Sequence, residues 1–183
     1  HQWGPGIRDH YLIHYIICGH GFYQVGGQTH ALHAGDSFLV YPNTEVLYYA
    51  DRSDPWEYAW VGFTGSDASM ILKATDFSPS HPIIADTPSG DAIHRQILHI
   101  YDARGNEFEH AVEMTGRLYT MLALFLHGAT SSESRNSTNS YVQKGIEYIS
   151  SNYSYAITVE DIADYVGVSR SHLFRSFETV LGQ

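Results

Sequence analysis

Apolar and polar positions follow two different periods along this chain, and the change of period divides it. Residues 1 to about 64 read as strands. Tyr11 to Cys18, YLIHYIIC, is a nearly continuous apolar, β-branched and aromatic run, which predicts a strand covered on both faces. Phe22 to Val25 and Gln28 to His33 flank Gly26-Gly27, a two-residue hairpin signal. Gly35-Asp36 turns the chain into a strand from Ser37 to Tyr41, which Pro42-Asn43 ends. Glu45 to Ala50 and Trp56 to Phe63 follow, split by the Asp51–Pro55 turn. Short strands at close spacing with Gly and Pro between them predict a small barrel or jelly roll.

Beyond residue 64 the period becomes helical. Residues 66–75 predict a short helix, and 77–89, with Pro79, Pro82 and Pro88, a crossing loop. Residues 91–103 predict a helix with Ile93, Ile97, Leu98 and Ile100 inward. Residues 106–126 predict the longest helix, capped by Asn106 with Glu109 closing the box. Its stripe is Val112, Met114, Leu118, Met121, Leu122, Phe125 and Leu126. Residues 128–140, GATSSESRNSTNS, are polar and aperiodic and predict a linker. An amphipathic helix from Tyr141 to Tyr153 follows, with Ile146 and Ile149 inward.

The stretch Ile157 to Gln183 carries the punctuation of a helix-turn-helix. Thr158 caps a first helix and Asp161 returns the bond. Ile162, Ala163 and Val166 form one stripe, and Gly167 suits a left-handed turn position. Ser169 caps a second helix, with Leu173 and Phe177 on its inner face. Ser169, Arg170, Ser171, His172 and Arg175 are left at the outer face or at its start. In a helix-turn-helix the second helix enters the DNA major groove, so these five are the candidate DNA contacts. An ordinary helical hairpin has the same caps and spacing.

The run from Thr158 to Phe177 resembles the first helix-turn-helix of the AraC/XylS regulators: Gly-Val-Ser at the turn, His-Leu-Phe-Arg-Ser-Phe after it, then Leu-Gly. The order Gly19-x-Gly21, Gly26-Gly27, Gly35-Asp36, Pro42 and then aromatic strands resembles the cupin-type barrel of the same family. GPGIRDHY, LVYP and PWEYAWVGF are similar to its oligosaccharide and α-galactoside branch. The resemblance implies a mainly β cupin-like barrel (double-stranded β-helix or jelly roll), then α-helices and a partial all-α reader. It implies a ligand-binding and dimerisation domain over 1–127 (barrel 1–64, helices 66–127), a linker 128–140 and a partial DNA-binding domain 141–183. The implied function is a sugar-responsive transcription regulator, not an enzyme, that dimerises through helix 106–126.

Net charge is −10, and the helix-turn-helix stretch sets Arg170 and Arg175 against Glu160, Asp161, Asp164 and Glu178. Phosphate contacts need Lys and Arg. Family readers resemble two such units joined by a long helix, and this chain stops at Gln183, so weak or absent DNA binding is expected of it. One cysteine, Cys18, excludes an intrachain disulfide framework, fits a reducing, cytoplasmic setting, and sits in an apolar strand where an inert thiol is expected. No run is long and apolar enough to span a bilayer.

Strand alternation puts Trp56, Tyr58 and Trp60 on one face. Aromatic faces with a few aimed polar groups suit sugars; core packing is the plainer account of each ring. The resemblance implies that Trp60 and Tyr49 line the sugar site, and that Tyr58 and Leu47 stand where the arabinose-binding member has histidines. Arg8 and His14 are further ligand candidates. A metal-dependent cupin enzyme, an isomerase or oxygenase, is the alternative. Its motif places a His-x-His pair near Gly19–Gly27, where only His20 stands, and a later histidine near Leu47. A catalytic metal needs three converging ligands and an open position, so neither a metal nor another cofactor is expected. A dimerising scaffold filled by its own aromatics is the third reading.

Overall fold

The computed structural model describes residues 2–129 and 132–181, with side chains for all of these except 132–139 and 181. The chain divides into two compact units, His1–Ala129 and Thr130–Gln183.

In chain order the strands are β1 (Gln2–Ile7), β2 (Tyr11–Cys18), β3 (His20–Val25), β4 (Gln28–His33), β5 (Ser37–Val40), β6 (Glu45–Ala50), β7 (Glu57–Phe63) and β8 (Ile83–Ile84). They form two antiparallel sheets, ordered β1-β6-β3-β4 and β7-β2-β5-β8. Five of the seven connections between these strands cross from one sheet to the other, and the two sheets share a buried core between them. Tyr23 ties them by donating from its hydroxyl to the Leu39 carbonyl at 3.1 Å. The β-barrel expectation therefore holds, and most strand bounds fall within a residue or two of those read from the pattern. β1 and β8 were missed. QWGPGI has no alternation to read, and β8 is a two-residue strand inside the predicted crossing loop.

Two apolar cores result. Between the sheets lie Leu12, Ile16, Tyr23, Phe38, Val46, Tyr48 and Trp56, all buried. On the outer face of the second sheet, Ile13, Tyr15, Leu39, Val61 and Phe63 pack against helices. β2 and β5 thus bury both faces, which is why their sequences run apolar without alternation. The helices are α1 (Ala68–Lys73), α2 (Gly90–Asp102) and α3 (Phe108–His127). Ile93, Ile97 and Ile100 of α2 and Met121, Leu122 and Phe125 of α3 reach that core. Leu98 and Val112, expected inward, are exposed. Residue 98 falls off the stripe that 93, 97 and 100 define, and Val112 lies on a face of α3 that includes Phe108 and Tyr119, also exposed. The Asn106 cap does not form. Glu107 is the extended residue before α3, so Glu109 falls at the second helical position, out of register for a capping box. Cys18, expected to be buried, is exposed because it ends β2.

In the second unit, helix α4 (Ser132–Asn152) begins well before Tyr141. Most of the expected linker is therefore helix. No Gly or Pro interrupts residues 132–140, and polar residues cost a helix only a few tenths of a kcal/mol each, roughly. The inward row of α4 is Val142 and Gly145; Ile146 is exposed. α5 (Val159–Val166) and α6 (Arg170–Leu181) follow. The Thr158 hydroxyl accepts from the Asp161 amide at 3.2 Å, and the Asp161 carboxylate accepts from the Thr158 amide at 2.8 Å, completing the predicted capping box. Gly167 has φ of 81°, a conformation that costs an L side chain strain, and the Val168 amide returns to the Ala163 carbonyl. Ala163, Val166 and Leu173 form the buried centre, with Ile162 and Phe177 against it. Among the described residues no helix is long and apolar enough to cross a membrane.

Candidate functional site

The interior between the sheets is packed with rings around one buried imidazole. His14 is 1% exposed. Its ring stacks on Phe38, with centroids 4.2 Å apart, and meets the edges of Tyr48 at 5.1 Å and Tyr58 at 5.3 Å. β2 alternation places it there: Ile13 and Tyr15 turn to the helices, so His14 turns to the interior. Burial, helped by the charge of Arg8, pushes its pKa down to about 3, so the ring is neutral. Its Nδ1 has no hydrogen-bond partner.

Trp60 is the cross-strand partner of His14 and shares its face. It is 56% exposed, whereas Trp56 on the same face is buried against Phe38. The face thus runs from a packed floor at Trp56, past Tyr58, to an open indole at Trp60. Opposite, Trp3 of β1 stacks on Tyr48 at 5.4 Å, and the Arg8 guanidinium lies 4.1 Å from the Trp3 ring. Arg8 Nε is buried and has no hydrogen-bond partner. Burial raises the pKa of Tyr48 and of Tyr58; at Tyr48 the cation Arg8 pulls the other way. Both phenols are neutral and free to donate.

Of the expected ligand residues, Arg8, His14, Tyr58 and Trp60 belong to this cluster of rings. Tyr49 does not. The register pairs Tyr48 with Tyr23 and with Trp3, so Tyr48 points inward and Tyr49 outward, where it stacks on Phe22. Leu47 faces outward as well. Trp3 and Tyr48 are the residues that sequence reasoning missed. Adjacent tyrosines leave the inward one undecided until the register is known. The alternation that pairs Val46 with Tyr48 was the available signal.

His14 is, among the described residues, the buried histidine of this interior, and the charge that acts on it is that of Arg8. Among the described residues, the group with metal-like spacing is His33, Asp36 and Asp86. There the buried Asp36 carboxylate already accepts from the His33 amide at 2.9 Å and the Asp86 amide at 3.0 Å. It clasps two loops together. A shallow concavity of about 640 Å³ at the β3–β4 hairpin is lined by Gln24, Asn43, Glu45 and Leu47 among others, and by none of the rings above.

In the second unit, Ser169, Arg170, Ser171, His172 and Arg175 are all exposed on α6 or at its start. The Ser169 hydroxyl accepts from the His172 amide at 3.3 Å. Arg170 is held by Glu160 at 2.6 Å, and Arg175 Nε donates to the Ser171 carbonyl. The His172 ring meets Tyr141 of α4 edge-on at 5.3 Å. Phe174, also exposed, joins this face unforeseen.

Residues 1–122 match the family described as AraC-like ligand binding domain. The chain belongs to this family. The matched region takes in the barrel and most of α3, so the ring-lined interior is that of an AraC-like domain. Curated relatives extend the likeness over nearly the whole chain. It is 34% identical over 182 residues to the Msm operon regulatory protein of Streptococcus mutans, covering 97% of this chain and 65% of that one. It is 30% identical over 174 residues to the lactose operon transcription activator of Staphylococcus xylosus, covering 93% and 62%. It is 27% identical over 182 residues to the raffinose operon transcriptional regulatory protein of Pediococcus pentosaceus, covering 96% and 65%. The chain therefore spans a little under two thirds of the length of these AraC-like relatives. All three are operon regulators rather than enzymes.

Proposed function

We propose that this chain is the sensing part of a sugar-responsive transcription regulator, with an AraC-like barrel that binds a mono- or oligosaccharide and sets how a DNA reader is presented. The observation that carries this reading is the open indole of Trp60 paired with His14, at a cluster of rings that holds two unmet hydrogen-bonding atoms. A sugar has apolar ring faces for such an indole and hydroxyls for such atoms. The relatives named for lactose and raffinose operons favour this ligand class. Arg8, His14, Tyr58 and Trp60 are the proposed ligand contacts, with Tyr48 in the place first expected of Tyr49.

The same reading gives residues 141–183 to DNA, through Ser169, Arg170, Ser171, His172 and Arg175; mobility shift with operator DNA measures this. It gives α3 to a homodimer, because Phe108, Val112 and Tyr119 leave an apolar face uncovered, and sedimentation equilibrium reads that directly. It places the protein in the cytoplasm, beside the DNA. Ligand binding controls the reader only to the extent that it favours one arrangement over another.

The deciding experiment is a thermal-shift screen with lactose, raffinose and their component sugars, because a ligand that binds the folded state raises its stability by mass action. A sugar that raises Tm is expected to change tryptophan fluorescence as well. Trp60→Ala is expected to abolish that change and to weaken binding by at least about tenfold, the loss of one well-packed ring contact. A sugar that binds Trp60→Ala with unchanged affinity removes Trp60 from the site.

A further inference from the structure

Two buried polar atoms in the barrel lack partners: Nδ1 of His14 and Nε of Arg8. They belong to one neighbourhood. The His14 ring meets Tyr48, Tyr48 stacks on Trp3, and Trp3 lies under the Arg8 guanidinium. The Arg8 charge also acts on His14. Buried polar groups in folded proteins are nearly always satisfied, and one left unmet destabilises its protein. Arg8 Nε can only donate. His14 is neutral, so its Nδ1 donates or accepts according to tautomer.

We infer that Arg8 and His14 read two hydroxyls of an uncharged sugar, and that the site selects against the phosphorylated form of the same sugar. The inference rests on the sugar-sensing reading above and adds to it the charge state of the ligand. A hydroxyl accepts from Arg8 and serves either tautomer of His14. A phosphate brings about two negative charges at neutral pH against the single cation Arg8. The rest of the lining, Phe38, Tyr48, Tyr58 and Trp60, consists of rings that solvate a charge poorly. An unpaired buried charge is the most costly group to place in such a space.

The test uses the whole chain, with lactose, raffinose and lactose 6′-phosphate as probes in isothermal titration, beside ligand-free thermal melting. His14→Phe keeps the stack on Phe38 and removes the unmet nitrogen. It is expected to melt at a higher temperature than the unaltered chain without ligand, yet to bind lactose or raffinose at least about tenfold more weakly. Arg8→Gln keeps a neutral donor and supplies a second, less disruptive variant, also expected to lose about tenfold. Lactose 6′-phosphate is expected to bind at least tenfold more weakly than lactose. If lactose or raffinose binds the unaltered chain but both variants bind within twofold of it, the inference falls and the sugar-sensing reading stands. Tighter binding of the phosphate than of lactose also overturns the inference alone. If no probe binds the unaltered chain, the inference falls together with the reading it rests on.

Discussion

Phe38→Ala is expected to destabilise the barrel by about 3–5 kcal/mol, the range for removing a fully buried phenyl ring. Phe38 is completely buried, and its ring is the floor on which His14 lies flat. Tyr23, Tyr48 and Trp56 also meet it, at 4.7, 5.5 and 5.9 Å between centroids. No backbone shift can close a gap shared by four rings from both sheets, so the cavity term is expected to be near its maximum. Urea unfolding followed by tryptophan fluorescence measures the loss, because Trp3, Trp56 and Trp60 are the only tryptophans of the chain and all lie in the barrel. A loss below about 1 kcal/mol, the scale of a surface change, would show that Phe38 is not the floor. The same variant is expected to lose sugar binding, since His14 would no longer be held.

Gly21→Ala is expected to cost about 2–3 kcal/mol, for the opposite reason. Gly21 of β3 is buried with its backbone directly against the indole of Trp56, and a Cβ there would overlap three of the ring atoms. Either the indole leaves its slot or β3 moves away. A red shift of tryptophan emission in the native state identifies the first outcome. Gly21→Ala combined with Trp56→Leu is expected to be less destabilised than the sum of the two changes, because each relieves the other. Strict additivity would mean that the two positions do not meet.

Much of this fold was legible in the chain because strands and turns declare themselves locally. The bounds of β2 and β6 follow from apolar runs ended by Gly19 and Asp51, and those of β4 from the Gly26-Gly27 hairpin and Gly35. The Thr158 box and the Gly167 turn are short-range chemistry and survive intact. What the pattern hid was longer in range. The inward choice between Tyr48 and Tyr49 is fixed by the pairing of β6 with β1 and β3, and the only local hint of it is that Tyr48 shares the face of Val46. Trp3 lies in a Gly- and Pro-interrupted segment that becomes a strand only because β6 offers it an edge. The start of α4 was misread because Ser, Thr and Asn in a row look like a linker, although nothing there stops a helix from growing backwards out of Tyr141. Of the five expected ligand residues, Tyr58 and Trp60 share a face through the alternation legible on β7, and the pairing of β2 with β7 sets His14 opposite Trp60. Arg8 joined them through Trp3, by a contact no sequence pattern displays.

β2 is a wall with a tenant on each side. His14 faces the ring-lined interior, and its immediate neighbours Ile13 and Tyr15 are seated against the helices, with Tyr15 packed over Gly90 and beside His94 of α2. A strand is stiff across its own thickness. A displacement of His14 is therefore expected to be felt at the α2 contacts of Tyr15, one peptide bond away.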